Sequence, residues 1–230
     1  MNLKDLFDST YRENMNVILS MVEQDNNARI LDCGCGDGRF TKELAKRIGT
    51  SQVYGVEFID QLACAAEDQG VRVYQANLNE ELPMEDEVFH FVHSNQVLEH
   101  LYETDLFIKE IYRILKSGGY AIISTPNLAS LHGIISLFLG KQPFTAHVSN
   151  EVILGNSMNP RQGKEIEQRG SVHLRVFTYE ALKELLEYYG FKVEKIVGVG
   201  YYPFPIKIAR ILSRLDRRHA VYLTAKIRKC

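Results

Sequence analysis

The sequence contains no tryptophan, only six prolines, and no apolar run long enough to cross a bilayer. The longest candidate, LHGIISLFLG at residues 131–140, is shorter than the ~18 residues such a span needs, and it contains a histidine. The first residues lack the basic-then-apolar pattern of a signal peptide, so export is not expected. The cysteines Cys33, Cys35, Cys64 and Cys230 show no disulfide spacing. These absences together predict a cytoplasmic location.

The composition that remains is that of an ordinary globular protein, with 45% hydrophobic and 24% charged residues in a chain of 230. This length suits one sizeable α/β domain, and no repeat or linker divides residues 1–230. The charge, however, is uneven. The stretch from Lys207 to the last residue carries eight basic residues and one acidic residue, although the whole chain has a net charge of −2.

Short β-branched runs alternate with longer helical patterns along most of the chain. Strands are predicted at residues 29–34, 52–58, 71–77, 88–95, 119–126, 191–200 and 220–229. Helices are predicted at residues 39–49, 59–70, 99–119 and 178–190, each closed by a glycine. This alternation predicts a doubly wound α/β fold, a parallel sheet with helices on both faces. The basic residues of the last strand suggest that it is partly exposed.

A glycine-rich turn, DCGCGDG, follows the first predicted strand. Gly34, Gly36 and Gly38 allow positive φ and let a ligand approach where a Cβ would collide. A dinucleotide fingerprint would need a third glycine where Arg39 stands. Asp32 also places negative charge where a pyrophosphate would sit. The turn therefore favours a cationic or amine-bearing ligand over a dinucleotide.

An acidic residue closes the second predicted strand. Glu57 lies about 20 residues beyond the turn, where such folds place a carboxylate on ribose hydroxyls, and the adjacent Phe58 can pack on an adenine. Accepting from both the 2′ and 3′ hydroxyls would indicate a nucleoside ligand. The ends of the third and fourth strands meet the same edge of the sheet and add Asn77, Leu78, Ser94, Asn95 and Gln96.

Five stretches in order resemble the class I S-adenosylmethionine-dependent methyltransferases, in particular the methyltransferase type 11 branch. They are ILDCGCGDGRF, VYGVEF, ANLNEELPMEDEVFHFVHSNQVLEHL, IYRILKSGGYAIISTPN and HLRVFTYEALKELLEYYGF, and they cover about residues 28–200. The resemblance implies a Rossmann-like, three-layer fold. Its seven strands would have the order 3-2-1-4-5-7-6, with the last strand of the chain antiparallel.

The resemblance also implies S-adenosylmethionine as cofactor and S-adenosylhomocysteine as product. It implies that Asp32 and the turn residues Gly34, Cys35, Gly36 and Gly38 flank the methionine part, and that Glu57 binds the ribose. Asn77 stands where the family more often has an aspartate facing the adenine amino group. An amide oxygen can accept the same hydrogen bond. Two cysteines without clustered histidines make a poor zinc site, so no metal is expected.

Histidines are the candidates for a general base, should an oxygen or nitrogen acceptor need one. His173 opens a stretch that borders the acceptor pocket in the resembling family, and His100 follows the fourth strand near the cofactor edge. We predict both as catalytic, with a structural role as the alternative for each. The other histidines are weaker candidates, assigned to the insertion, the core or the basic end: His132, His147, His90, His93 and His219.

Residues 128–176 have little periodicity and are predicted to form an insertion that covers the acceptor. The sequence thus predicts a methyltransferase that modifies an oxygen or nitrogen atom of a small molecule. The acceptor classes that fit are small organic, sugar-linked and lipid-like compounds. Two alternatives remain open. A nucleic-acid methyltransferase would suit the basic end, but the Asn/Asp-Pro-Pro-aromatic motif is missing, so nucleic acid is not the expected partner. A non-catalytic protein that binds S-adenosylmethionine is the other.

Residues 203–218, PFPIKIARILSRLDRR, read as a basic amphipathic helix. One side of this helix carries the apolar residues Ile208, Ile211, Leu212 and Leu215. The other side carries the basic residues Lys207, Arg210, Arg214 and Arg217. Such a helix can dock on an anionic membrane, which would put the protein peripherally at the inner membrane surface. The alternative is that its apolar side packs on the sheet, and the short stripe without tryptophan favours that. The sequence does not indicate an oligomeric state.

Overall fold

The computed structural model describes residues 3–166 and 172–230, with side chains from residue 5 onward. Its strands form one sheet of order β3-β2-β1-β4-β5-β7-β6, in which β7 is antiparallel to both of its neighbours and the other pairs are parallel. The strands are β1 Arg29–Cys33, β2 Gln52–Val56, β3 Arg72–Tyr74, β4 Phe89–Asn95, β5 Leu115–Pro126, β6 Phe191–Val199 and β7 Tyr222–Lys229. The predicted fold and strand order are confirmed.

Seven α-helices and two short 3₁₀ turns are present in the described part of the chain. They are α1 Leu3–Met21, α2 Arg39–Ile48, α3 Asp60–Asp68, the turn Leu98–His100, α4 Thr104–Ile114, α5 Leu131–Phe138, α6 Tyr179–Tyr188, α7 Ile206–Leu215 and the turn Arg217–His219. Two apolar clusters form the core, one around Phe107 and Ile111 and the other around Ile18 and Leu44. None of the described helices is both long and apolar enough to span a membrane.

Local signals explain where several elements begin and end. Thr178 caps α6, because its Oγ1 accepts a hydrogen bond from the N–H of Ala181. Gly49 ends α2 in the left-handed conformation, as the glycine rule predicts. The predicted helix over 99–119 is wrong at both ends. Only Thr104–Ile114 is α-helical, and β5 begins at Leu115, which pairs with Phe89.

The predicted exposed position of the last strand is also wrong. β7 lies inside the sheet between β5 and β6, and its lysines are buried. Lys226 donates to the carbonyl of Met21 and pairs with Glu23, while Lys229 donates to the carbonyl of Leu115. Charges buried in this way need partners, and the structure supplies them. The basic residues of this strand are therefore structural.

Candidate active site

The glycine turn between β1 and α2 has one position that is open toward a ligand. Gly34, Gly36 and Gly38 all have positive φ, of 78°, 55° and 77°. A Cβ at Gly34 would lie 2.5 Å from a methyl carbon of Val97, and one at Gly38 would lie 2.9 Å from the Cα of Ala66. A Cβ at Gly36 would meet nothing within 4 Å. Gly34 and Gly38 thus serve packing, whereas Gly36 leaves room for a ligand.

Glu57 is tied to this turn by backbone hydrogen bonds. Its Oε2 accepts from the N–H of Gly36 at 2.9 Å, and its Oε1 accepts from the N–H groups of Phe58 and Ile59 at 2.9 and 3.0 Å. A carboxylate has about four acceptor positions, and three are used here. One acceptor position is left while these three bonds are kept, and the prediction that Glu57 accepts from the ribose hydroxyls stays a prediction.

Asp32 forms a buried pair that the sequence did not reveal. Its Oδ2 accepts from the hydroxyl of Thr41 at 2.6 Å, and its Oδ1 lies 2.7 Å from Nδ1 of His93. Asp32 and His93 are direct neighbours in the parallel register of β1 and β4. Both carboxylate oxygens are thus engaged within the protein. His93, predicted as a core residue, is buried but holds this acid in place.

Two predicted cofactor residues point away from the ligand side. Cys35 is buried in the second core cluster against Gly55, where a Cβ would lie 2.5 Å from its sulfur, and burial raises the pKa of its thiol to about 12. Leu78 packs against the main core cluster. Their side chains pack in the apolar core, so only their backbone atoms are left to contact a ligand at the carboxyl edge of the sheet. Both residues lie in the loops that follow β1 and β3, where their side chains pack against the core.

Phe58 and Asn77 line an open groove of about 670 Å³ at the ends of β2 and β3. The Phe58 ring is 68% exposed, so it is available for stacking. The Asn77 amide is less free. Its oxygen accepts from the backbone and side chain of Asn79, and its Nδ2 donates to Glu80 at 2.9 Å. An adenine amino group would therefore share an acceptor that already holds the loop.

Helix α1, which the sequence did not predict, covers the end of β4. Asn14 is buried and donates to Oδ1 of Asn95 at 3.0 Å and to the hydroxyl of Ser124 at 2.9 Å. The Asn95 amide also donates weakly to the hydroxyl of Tyr11 at 3.5 Å. Asn95 is consequently oriented by the N-terminal helix. Burial and, to a smaller extent, the negative charge of Asp32 raise the pKa of Tyr11.

Buried polar atoms without a protein partner cluster just after β4. In the described part of the chain they include Nε2 of His93, the hydroxyl of Ser94, Nε2 of Gln96 and Oε1 of Glu99. Gln96 also has a positive φ of 58°, which is uncommon outside glycine and typical of functional turns. Buried polar groups normally find a partner. Together with the open side of Gly36, these atoms fit the ammonium and carboxylate groups of S-adenosylmethionine.

A cavity of about 550 Å³ adjoins this edge and shares Gln96 with it. Its walls come from α1, α5, the insertion and the segments before α7 and β7. They include Phe7, Gln96, Pro126, His132, Phe144, Thr145, His147, Ile153, Asn159, Pro160, Arg161, Lys164, His173, Tyr202, Val221 and Tyr222. Residues 167–171 of the insertion lie outside the described residues. The described part of the insertion contributes side chains such as Phe144, Ile153 and His173 to the cavity wall.

His173 is the cavity histidine whose free nitrogen can be identified. Its Nδ1 lies 2.8 Å from the carbonyl of Thr145, so Nδ1 carries the proton and Nε2 keeps its lone pair. Burial, with smaller contributions from nearby His100, His147 and Arg161, lowers the pKa of His173 to about 4. The ring is therefore neutral near pH 7. A neutral imidazole with a free Nε2 can accept a proton.

His100 lies behind His173 and is not part of the cavity wall. Its Nδ1 donates to the carbonyl of Val172 at 3.0 Å, and its ring lies 5.0 Å from that of His173. The carbonyl of Glu99 accepts from the N–H groups of Leu174 and Arg175. These two residues therefore hold the segment that carries His173, which fits the structural alternative for His100, and its catalytic role stays a prediction.

The Glu99 carboxyl is the buried acid of this cluster. Its Oε2 accepts from the hydroxyl of Thr125 at 3.0 Å, while Oε1 lies 3.8 Å from Nε2 of His100. Burial raises its pKa to about 8. One ligand atom from each of Glu99, His100 and His173 lies within 4.8 Å of the others, so the three can approach a metal ion. Two ligand atoms of a tetrahedral zinc ion lie roughly 3.3 Å apart. Oε1 of Glu99 and Nε2 of His100 are 3.8 Å apart, so they are farther from each other than in a bound zinc site.

Comparisons with known proteins show what this chain is similar to. A methyltransferase-domain family model matches residues 7–196. The mitochondrial ubiquinone biosynthesis O-methyltransferase of Rattus norvegicus is 29% identical over 186 residues, which cover 76% of this chain and 48% of that protein. A protein named "Probable S-adenosylmethionine-dependent methyltransferase" in Mycolicibacterium smegmatis is 29% identical over 193 residues, covering 83% and 59%. The chain spans about half the length of these relatives.

The fold recurs in a crystal structure from Thermotoga maritima, described as a "SAM-dependent methyltransferase, possible histamine N-methyltransferase". It superposes with a TM-score of 0.64 at 21% identity, covering 96% of this chain and 89% of that one. At this identity the likeness concerns the fold alone. The methyltransferase-domain family model matches most of the chain and therefore shows its family. This chain belongs to the class I S-adenosylmethionine-dependent methyltransferases.

Proposed function

We propose that this chain transfers the methyl group of S-adenosylmethionine to an oxygen or nitrogen atom of a small molecule bound in the histidine-lined cavity. The observation that supports this is the shared residue Gln96, which belongs both to the cofactor edge and to the cavity wall. Its buried Nε2 has no protein partner. Methyl transfer needs donor and acceptor in line and close together, and adjoining sites meet that requirement.

The cofactor, when bound, supplies an electrophilic methyl group on a sulfonium. Glu57 would hold its ribose, Phe58 would stack on the adenine, and Gly36 with the unpartnered atoms in and after β4 would meet the methionine part. His173 Nε2 would take the proton from the acceptor atom. Because that atom becomes strongly acidic as its new bond to carbon forms, a neutral histidine with a pKa of about 4 suffices.

The cavity wall also indicates the acceptor class. Aromatic and aliphatic side chains such as Phe144, Ile153 and Tyr202 provide an apolar surface, and Arg161 and Lys164 add positive charge at one part of it. An acceptor with an apolar or aromatic body and an anionic group would match both features. The name of the rat relative points to an acceptor of quinone-precursor type for that protein. For this chain, we propose only the broader class.

Incubation with methyl-labelled S-adenosylmethionine and a fractionated lysate tests the proposal. Label should enter the acidic small-molecule or lipid fraction, and substituting both Arg161 and Lys164 by alanine should raise the acceptor KM more than it lowers kcat. The reverse charge selectivity, with label in cationic compounds, would contradict the acceptor class. Label in RNA would favour the nucleic-acid alternative. Cofactor binding without any labelled product would favour a binding protein.

A further inference from the structure

We propose that α7 and the C-terminal half of α5 form a docking surface for an anionic lipid bilayer. The starting point is a prediction that the structure contradicts. Three large apolar side chains of α7 do not pack on the sheet: Ile211 is 61% exposed, Leu215 is 80% exposed, and Ile208 is exposed as well. The inward face of α7 is made by the small residues Ala209 and Ser213 together with Leu212.

An amphipathic helix normally turns its large apolar residues toward the core. In α7 three of the large aliphatic residues occupy the outward side, and Leu212 is the one that packs inward beside the small residues. Nothing in the described chain covers Ile211 or Leu215. A contiguous apolar patch of this kind on a helix surface marks an interaction site.

Helix α5 extends this surface. Leu131 at its start and Leu212 of α7 pack on the same cluster of Tyr201, Ala209 and Ala220, so the two helices are neighbours. Phe138 at the end of α5 is 89% exposed, and its neighbours Leu137 and Leu139 are also exposed. Two adjacent helices therefore present bulky apolar side chains to the outside.

The charge of this surface favours an anionic bilayer over a second copy of the chain. Lys207 and Arg214 are exposed on the same outward half of α7 as Ile211, whereas Arg210 is held by Glu13 at 2.6 Å. A second copy docked about a two-fold axis would bring these cations together, which is unfavourable. An anionic leaflet attracts them and accepts the apolar side chains below its headgroups. The surface thus matches lipid better than a second copy.

The position of this surface gives it a use that goes beyond methyl transfer itself. His132 of α5 and Tyr202, just before α7, both line the acceptor cavity. Docking through α5 and α7 would hold the cavity against the bilayer, where an amphiphilic acceptor is concentrated. Docking can be measured without any acceptor, so its failure and the failure of the proposed reaction are separate results.

The absence of tryptophan makes a site-specific test available. Ile211→Trp introduces a single reporter on the outward face of α7. Its emission should shift to the blue with vesicles of phosphatidylglycerol and phosphatidylcholine in equal parts, less so with phosphatidylcholine alone, and less as salt screens the charges. Tyr188→Trp is the control, because Tyr188 is 81% exposed on α6. No shift at position 211, or an equal shift at both positions, would overturn the proposal.

Vesicle sedimentation provides the second measurement. Lys207→Glu combined with Arg214→Glu should lower the vesicle partition coefficient at least about tenfold, since each basic residue near such a surface contributes roughly fivefold. Ile211→Asp with Leu215→Asp should do the same. Lys42→Glu with Lys46→Glu, an equal charge change on α2, should have a much smaller effect. Equal losses of vesicle binding in all three double variants would refute docking. A wild-type dimer that does not bind vesicles and that Ile211→Asp dissociates would also refute it.

Discussion

The cofactor edge and the acceptor cavity are built in different ways. The cofactor edge rests on residues close together in sequence: the turn from Asp32 to Gly38, and Glu57 bonded to the backbone of that same turn. The cavity gathers Phe7, His132, His173 and Tyr222 from across the whole chain. The first can be recognised from a motif. The second exists only after folding.

The two regions also treat charge differently. Asp32 and Glu57 are buried carboxylates whose oxygens accept hydrogen bonds from a hydroxyl, an imidazole or the backbone. In the cavity, burial lowers the pKa of both His132 and His173 to about 4. The cofactor edge is therefore suited to a ligand with hydrogen-bond donors and positive charge. The cavity keeps these histidines neutral near pH 7, so that a nitrogen lone pair stays available to an acceptor.

The largest expected effect tests the proton acceptor in the cavity. His173→Ala should lower turnover at least about a hundredfold, the usual contribution of a general base, while cofactor affinity stays near wild type. Turnover is measured with the acceptor that the lysate experiment yields, and affinity by calorimetry. His219→Ala, in the basic end of the chain, is the matched control. Unchanged turnover in His173→Ala would remove its catalytic role.

The next effect concerns Glu99, the buried acid behind the cavity. Between pH 6.5 and 8 the folded protein keeps Glu99 protonated, because its pKa is raised to about 8, whereas the unfolded chain ionises it near 4.5. The unfolded state then binds fewer protons, so stability falls as pH rises, by up to roughly 1.4 kcal/mol per pH unit. Glu99→Gln should abolish this loss.

Urea unfolding of both proteins at the two ends of this window measures the difference. The cavity histidines do not confuse the comparison, because wild type and variant contain the same histidines and their contribution cancels in the difference. Parallel pH curves for wild type and variant would show that Glu99 is ionised in the folded protein.

Glu57→Ala tests the cofactor edge and should weaken S-adenosylmethionine binding at least about tenfold. The substitution removes an acceptor for the ribose and also releases the N–H groups of Gly36, Phe58 and Ile59. Glu57→Gln keeps an acceptor oxygen, so its loss should be smaller. Calorimetry that gives equal affinity for wild type and Glu57→Ala would contradict the assignment.

The smallest effect separates ligand space from backbone strain. Gly36→Ala and Gly49→Ala both add a Cβ at positive φ where no protein atom lies within 4 Å. Each should lose roughly 1 kcal/mol of stability. Only Gly36→Ala should also lose cofactor affinity, by severalfold, because only that Cβ faces the ligand. Equal affinities for the two variants would place the cofactor elsewhere.

Much of the fold could be predicted because strand–helix alternation and glycine stops are local patterns. The seven strands were predicted in place, and Thr178 and Gly49 act as expected. The errors share a cause. Helix α1, the burial of the β7 lysines and the outward apolar face of α7 depend on neighbours distant in sequence. The Asp32–His93 pair could have been found from strand register, had the order of β1 and β4 been applied to their side chains.

The sequence alone determined the cofactor class, because a turn with glycine at three alternate positions and an acid at the end of the next strand can only be built from those residues. The tertiary structure decided which histidines line the cavity, which acid is buried behind them and which face of α7 is exposed. Those properties depend on burial and on contacts between distant segments, and burial is a property of the folded chain.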